Sequence, residues 1–372
     1  MSAKPTPLFR ADHVGSLLRP QALAEAREKA RKGEISKDDL RAVQDDCIRE
    51  AVRQQENIGL EVITDGEFRR DYWHVDFLCG FDGIDEWEAE RSPTFSSGWR
   101  PLLARANRKV SWKNGIFTDH FAFVKKTTSK TAKQTIPGPA MIHLRPGREA
   151  IDSNAYPDMD EFWSDLVAAY RMEVAKLYEL GCRYLQIDDV SFSYFCDKDL
   201  TEMLRSRGDD PEQLLRLYAR LINDVIAGRP ADLRVTTHIC RGNAQSAWIA
   251  QGGYEPVAEV VFGSLNVDGF FLEYDSDRAG GFEPLRYIPK NKDVVLGLVS
   301  SKVPELESAW DIKRRIDEAA KFVAPERLAL SPQCGFASTY HGNKVTPDDQ
   351  WRKLELVVDV AEDVWGELTV SD

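Results

Sequence analysis

The sequence runs to 372 residues, with 42% hydrophobic and 30% charged side chains and a formal net charge of −12 at pH 7. That length can bury a large core, and an acidic chain gains nothing from the field of a polyanion, which argues against nucleic acid and anionic membrane as partners. No run of about 18 apolar residues is present, so nothing reads as a membrane span.

The segment Met1–Ser16 lacks the apolar centre of a signal peptide. Six cysteines (Cys47, Cys79, Cys182, Cys196, Cys240 and Cys334) are scattered without disulfide-framework spacing, as expected of free thiols in a reducing cytosol. Lys125–Lys133 is basic but short and Thr-rich, and reads as a solvated face.

In chain order, a strand near Leu8–Val14 comes first. Two charged amphipathic helices follow over Gln21–Arg31 and Ser36–Ile58, the second opening at Ser36 as N-cap. Leu60–Thr64 is a buried strand running into Asp65-Gly66-Glu67. Residues 69–133 are rich in Trp, Phe and Arg, with hairpin strands expected around Lys109–Trp112 and His120–Lys126. This stretch is too long for an ordinary loop and reads as an elaborated insertion over a site.

The remainder is regular. Strands are expected at Gln134–Ile142, Tyr184–Asp188, Arg234–Cys240, Val267–Glu273, Asp293–Val299 and Arg327–Ser331. Helices are expected at Asp158–Leu180, Pro211–Ala227, Tyr254–Val261, Pro304–Phe322 and Pro347–Trp365, with Gly181 closing the first. Continuous apolar strands between helices mean parallel sheet, and eight of them suit a (β/α)8 TIM barrel forming one domain over residues 1–372. An open doubly wound sheet is the competing arrangement, but no GxGxxG or phosphate loop follows any strand.

Several strands end in a chemically capable residue: Glu67, Asp188-Asp189, His238-Ile239-Cys240, Glu273, Ser300-Ser301-Lys302 and, just past the last strand, Cys334. In a parallel barrel these ends share one face, where active sites are built. His238 and Cys240 lie two apart on a strand and so point the same way. With a second thiolate from Cys334 and a carboxylate from Glu273 they make a tetrahedral zinc set, open to exchange because no CxxC clip is involved. Spacing alone also fits buried cysteines and a hydrogen-bonded histidine, and Glu273 alone also fits a helix cap or ion-pair partner.

The ordered motifs His13-Val14-Gly15-Ser16, Asp65-Gly66-Glu67, Ile187-Asp188, His238-Ile239-Cys240, Leu272-Glu273 and Ser331-Pro332-Gln333-Cys334-Gly335 cover most of the chain. Through them the sequence resembles the catalytic barrel of the cobalamin-independent methionine synthase family. It is similar to the short, single-barrel branch that also includes the epoxyalkane:coenzyme M transferases. The resemblance implies zinc held by His238, Cys240, Glu273 and Cys334. It implies homocysteine held by Ser16 and the Val14–Ser16 backbone, with Glu67 and Asp188 taking the ammonium and His13 at the entry to the same substrate-binding set. Two carboxylates at the mouth suit an amino group, although Arg69, Arg70 and Arg183 are alternative partners for them.

The resemblance further implies methyl transfer from N5 of methyltetrahydrofolate to the thiolate, in the cytoplasm, to give methionine. Tyr72, Trp73, Phe77, Trp87, Trp99 and Trp112 could stack a pterin or form a small core beneath the insertion. One departure stands out. The long enzymes of the family carry a proton-donating histidine after the seventh strand, and here that stretch reads Leu298-Val299-Ser300-Ser301-Lys302-Val303-Pro304. His341 and His13 are the candidate substitutes. The gap also suits another electrophile, such as an epoxide opened by coenzyme M. A metal-free decarboxylase of the uroporphyrinogen type and a non-catalytic zinc-holding protein complete the alternatives.

Overall fold

A computed structural model describes residues 8–88 and 102–369. In chain order its strands are β1 (Val62–Ile63), β2 (Asp82–Trp87), β3 (Leu103–Ser111), β4 (Thr131–Pro137), β5 (Tyr184–Asp188), β6 (Arg234–Ile239), β7 (Gly269–Glu273), β8 (Asp293–Val299) and β9 (Leu328–Pro332). β2 and β3 form a separate antiparallel hairpin, and the other seven make one parallel sheet in the order β1-β4-β5-β6-β7-β8-β9. Each strand of that sheet lies beside its predecessor in the sheet, with helices in most of the connections. β5, β6, β7 and β9 are buried at every position, as a sheet covered on both faces requires.

The two edges of this sheet meet one segment. Ala11 bridges Leu330 of β9 in parallel, with Asp12 N donating to Leu330 O at 3.0 Å and Leu330 N to Arg10 O at 2.8 Å. A few residues on, Thr64 Oγ1 beside β1 donates to Gly15 O at 2.7 Å, and Leu17 N donates to Gly66 O at 3.0 Å. The sheet is therefore curled, with residues 8–17 running from one edge to the other. Inside the curl the fully buried Lys133 ammonium donates to Asp12 Oδ1 at 2.7 Å and to Gln186 Oε1 at 3.2 Å. Tyr184 OH donates to the other oxygen of Asp12 at 2.8 Å. An ion pair thus fastens the N-terminal segment to β4 and β5.

The helices follow their local signals. Ser36 caps Lys37–Asn57 through a reciprocal capping box with Asp39, and Thr346 caps Pro347–Trp365 in the same way with Asp349. Gly181, at φ +95°, closes Met159–Glu179. The expected helix from Pro304 begins instead at Ala309, where Ser308 supplies the cap.

Four local expectations are corrected. The segment Leu8–Val14, expected as a strand, forms only isolated bridges among the described residues, Phe9 to Thr369 and Ala11 to Leu330, because it spans the gap between the sheet edges rather than pairing along either. The strand expected over Gln134–Ile142 stops at Pro137, and Pro139–Ile142 turns as a 3-10 helix, because Pro139 has no N–H for the ladder. His120–Lys126 lies within the helix Thr118–Thr127, whose buried Phe121 and Val124 are three apart, a helical rather than a strand spacing. The Lys109–Trp112 stretch does contribute to a hairpin, but its partner is Asp82–Trp87. Among the described residues no helix is long and apolar enough to cross a membrane.

Candidate metal centre

β5 and β6 pair in register so that Pro137, Asp188 and His238 stand side by side on β4, β5 and β6. Cys240 follows β6 directly, and Cys334 follows β9. The ligand atoms of His238, Cys240 and Cys334 all lie within 4.8 Å of one another, and all three residues are buried. They border a pocket whose wall also holds Val14, Ser16, Glu67 and Asp188. Two soft thiol sulfurs and one imidazole, converging from two separate strand ends and all buried, fit a zinc ion by donor type and spacing.

Without metal, the electrostatics pair a protonated His238 with an ionised Cys334, so metal binding there must release the imidazole proton. Burial opposes a charge on His238, but hydrogen bonds to Asp188 and Cys334, and the charges on both, push the imidazole up to about 10. Asp188 Oδ1 sits 3.3 Å from His238 Nδ1 and also accepts from Gln186 Nε2 at 2.7 Å, so the ring has a fixed orienting partner. A hydrogen bond from Cys240 and then one from His238 hold the Cys334 thiol well below its ordinary range against the pull of burial, with Lys302 adding positive charge. Cys240, the donor in that sulfur pair and itself buried, is pushed up. Lys302, buried, is anchored by donation to Gly242 O at 3.1 Å.

Glu273 ends β7 close by, and its charge acts on Cys240, but it stands outside the three-donor group. Its carboxylate is fully buried, with Oε2 accepting from Arg241 N at 2.8 Å and Oε1 from Arg278 Nη2 at 2.8 Å. Neither arginine follows from the zinc pattern in the sequence, although Arg241 sits directly after Cys240 and Arg278 just past β7.

At the other wall, Glu67 holds a left-handed backbone at φ 59°, rare for a residue with a side chain and concentrated at functional sites. Its N–H donates to Asp65 Oδ1 at 2.8 Å, and Thr135 Oγ1 donates to its Oε1 at 2.9 Å. Arg70 lies 3.3 Å from the same oxygen, while Oε2 has no hydrogen-bond partner. Burial, against the opposing charge of Arg70 and with the like charge of Asp188, pushes Glu67 up to about 7. Ser16 lies under Gly335, where a β-carbon would come within 1.9 Å of Ser16 Oγ.

The structure brings Ser16, Glu67, Asp188, His238, Cys240 and Cys334 to one cavity. His13 is fully enclosed and does not border it. His341 is also off the wall, stacked on Tyr340 at 3.9 Å between centroids. Of six histidines in the chain, His238 is the one that lines the cavity. Among the aromatic residues of the insertion, Trp73 lines the cavity. Phe77 is buried against Phe81 and Phe117, Tyr72 packs on Tyr340, and Trp87 lies under Arg105. Trp112 donates from Nε1 to Glu173 at 2.8 Å. The insertion's aromatics thus divide between one wall residue and packing roles, and Trp99 lies outside the described residues. Arg145, Asn243 and Ser338 also line the wall, without a sequence signal that singled them out.

Comparisons with known proteins cover nearly the whole chain. The uncharacterised protein YxjH of Bacillus subtilis (strain 168) is 46% identical over 361 residues, covering 96% of this chain and 95% of that protein. A solved structure from Listeria monocytogenes, assigned to the vitamin-B12-independent methionine synthases, superposes with a TM-score of 0.79 at 41% identity, covering 98% of this chain and 100% of that one. A B12-independent methionine synthase from Shewanella sp. W3-18-1, solved with selenomethionine, shares the fold at 20% identity with a TM-score of 0.73, covering 97% of this chain and 99% of that one. Residues 9–363 match the family model of the cobalamin-independent synthase catalytic domain, and the chain belongs to that family.

Proposed function

We propose that the protein is a zinc-dependent thiol S-methyltransferase that moves the N5-methyl group of 5-methyltetrahydrofolate to homocysteine, giving methionine without cobalamin. The observation that carries this reading is the convergence of His238, Cys240 and Cys334 on one point beside Ser16, Glu67 and Asp188. On the same reading the chain is one domain, a cytoplasmic (β/α)8 barrel in which residues 8–14 are the eighth stave. Family membership and the Listeria structure support methyl transfer in general terms, and the Shewanella enzyme, bound to selenomethionine, supports an amino acid of this shape in such a fold.

His238, Cys240 and Cys334 would hold zinc, with Glu273 as the fourth donor. Bound there, zinc supplies a thiolate near neutral pH from a thiol that would otherwise keep its proton. Glu67 and Asp188 neutralise the substrate ammonium, and Ser16 with the Val14–Ser16 backbone holds its carboxylate. Asp188 also keeps the His238 ring oriented. In the reaction a sulfur–methyl bond forms as the N5–methyl bond breaks, with N5 protonated in or before the transition state so that it leaves as a neutral amine.

Among the described residues no histidine besides His238 lines the wall, which favours a second reading: the same thiol activation with a different alkyl donor, such as an epoxide opened by coenzyme M. An activity matrix of homocysteine and coenzyme M against methyltetrahydrofolate and an epoxide separates the two. Zinc near one per chain in the wild type, lost in Cys240→Ser and Cys334→Ser together with turnover, is the expected result. Full activity after chelation would overturn the zinc reading.

A further inference from the structure

We infer that Arg278 is a positioning residue that lets Glu273 leave the metal, so that a substrate thiol can take its place. The inference rests on the proposed zinc site with Glu273 as fourth donor.

A donor that must be exchanged needs somewhere to go. Glu273 is fully buried, and an ionised carboxylate released there without a partner would be strongly disfavoured. The structure supplies that partner. Arg278 Nη2 donates to Glu273 Oε1 at 2.8 Å, while Arg241 N holds Oε2 at 2.8 Å from the other side. Arg241 anchors the carboxylate through a rigid main-chain N–H directly after Cys240. Arg278 reaches it through a side chain on the short turn Asp277–Ala279 just past β7. The movable contact is therefore the one with Arg278.

Two further contacts set where that guanidinium sits. Its Cζ lies over the Trp248 ring, 4.8 Å from the centroid, and Trp248 is 40% exposed. The same Nη2 is 3.6 Å from Asp275 Oδ1. Arg278 is thus held between the outer rim, a second carboxylate and the candidate donor. Glu273 can exchange one cation for another, the metal for Arg278, without ever being a bare buried charge. Removing Arg278 should make Glu273 a stickier ligand, because the side-chain donor that receives Oε1 disappears while the main-chain contact with Arg241 stays where it is. A purely structural role for Arg278 predicts the opposite sign, looser zinc from a disordered donor.

The test measures zinc affinity by competition with a chromophoric chelator, and the oxygen and sulfur content of the metal shell by zinc X-ray absorption. Both are run on the full chain, with and without homocysteine. Arg278→Gln should bind zinc about 10-fold tighter without thiol, on the scale of one charged hydrogen bond. It should also retain its oxygen donor when homocysteine is added and bind homocysteine about 10-fold more weakly. Arg278→Lys should restore most of the wild-type behaviour, and Trp248→Ala should shift both affinities in the Gln direction by a smaller factor. Zinc binding equal to or weaker than wild type in Arg278→Gln, with Glu273→Gln weakening it, overturns the role of Arg278 alone. Zinc affinity untouched by Glu273→Gln overturns the donor assignment beneath it, and the inference with it. Matched circular dichroism of the metal-free variants separates either result from misfolding.

Discussion

Replacing Glu67 by glutamine isolates a cost that the structure builds into the substrate wall. Glu67 is enclosed, and its ordinary value of 4.5 is raised to about 7 by burial, with Arg70 opposing and Asp188 adding to the rise. Between those two values the folded protein keeps the proton that the unfolded chain has lost. Stability in this window therefore falls as pH rises, by about 3 kcal/mol in total at roughly 1.36 kcal/mol per pH unit. The contribution is fully present below about 4.5 and gone above about 7. Glu67→Gln mimics the protonated form at every pH and preserves the Thr135 contact on Oε1. Urea unfolding of metal-free wild type and variant from pH 4.5 to 8 should show nearly equal stability at the acid end. The variant should be the more stable by about 3 kcal/mol at pH 8. At that pH the variant should also bind homocysteine poorly, because it lacks the carboxylate that pairs with the ammonium, and wild-type affinity should improve as pH rises through about 7. A stability difference that stays flat across the range would refute the claim that burial governs this carboxyl.

Further outcomes follow from individual contacts. Lys133→Met leaves Asp12 as a buried carboxylate without its cation; it should cost about 3–5 kcal/mol in urea unfolding, with much of the loss recovered by adding Asp12→Leu. Gly335→Ala places a methyl group 1.9 Å from Ser16 Oγ, so it should raise the homocysteine KM by about 10-fold or more while zinc content stays at the wild-type level. Glu173→Gln weakens the acceptor shared by Trp112 Nε1 and the backbone N–H groups of Ile116 and Phe117. It should lower stability by about 1–3 kcal/mol and increase hydrogen exchange in residues 112–117 without changing zinc content.

Helix ends were legible because their signals are local. Ser36 as N-cap and Gly181 as the closing residue act within a few residues of the chain. The buried strands were legible as apolar runs, and His238 with Cys240 as two residues facing one way on β6. The hairpin partner and the helix Thr118–Thr127 were misread because short aromatic stretches satisfy strand and helix patterns alike until packing decides.

By itself the sequence determined the alternation of elements, and with it the gathering of carboxylates, thiols and imidazole at the same end of consecutive parallel strands. Only the tertiary structure decided which of those groups meet. Cys334 reaches His238 and Cys240 because the sheet curls, and Glu273 faces Arg278 because a short turn folds back beneath Trp248. His13 is enclosed away from the cavity although it sits only three residues before Ser16. The physical reason is range. Periodicity and capping act over a turn or a strand, whereas burial and partner choice depend on how whole segments pack against one another, which no local pattern encodes.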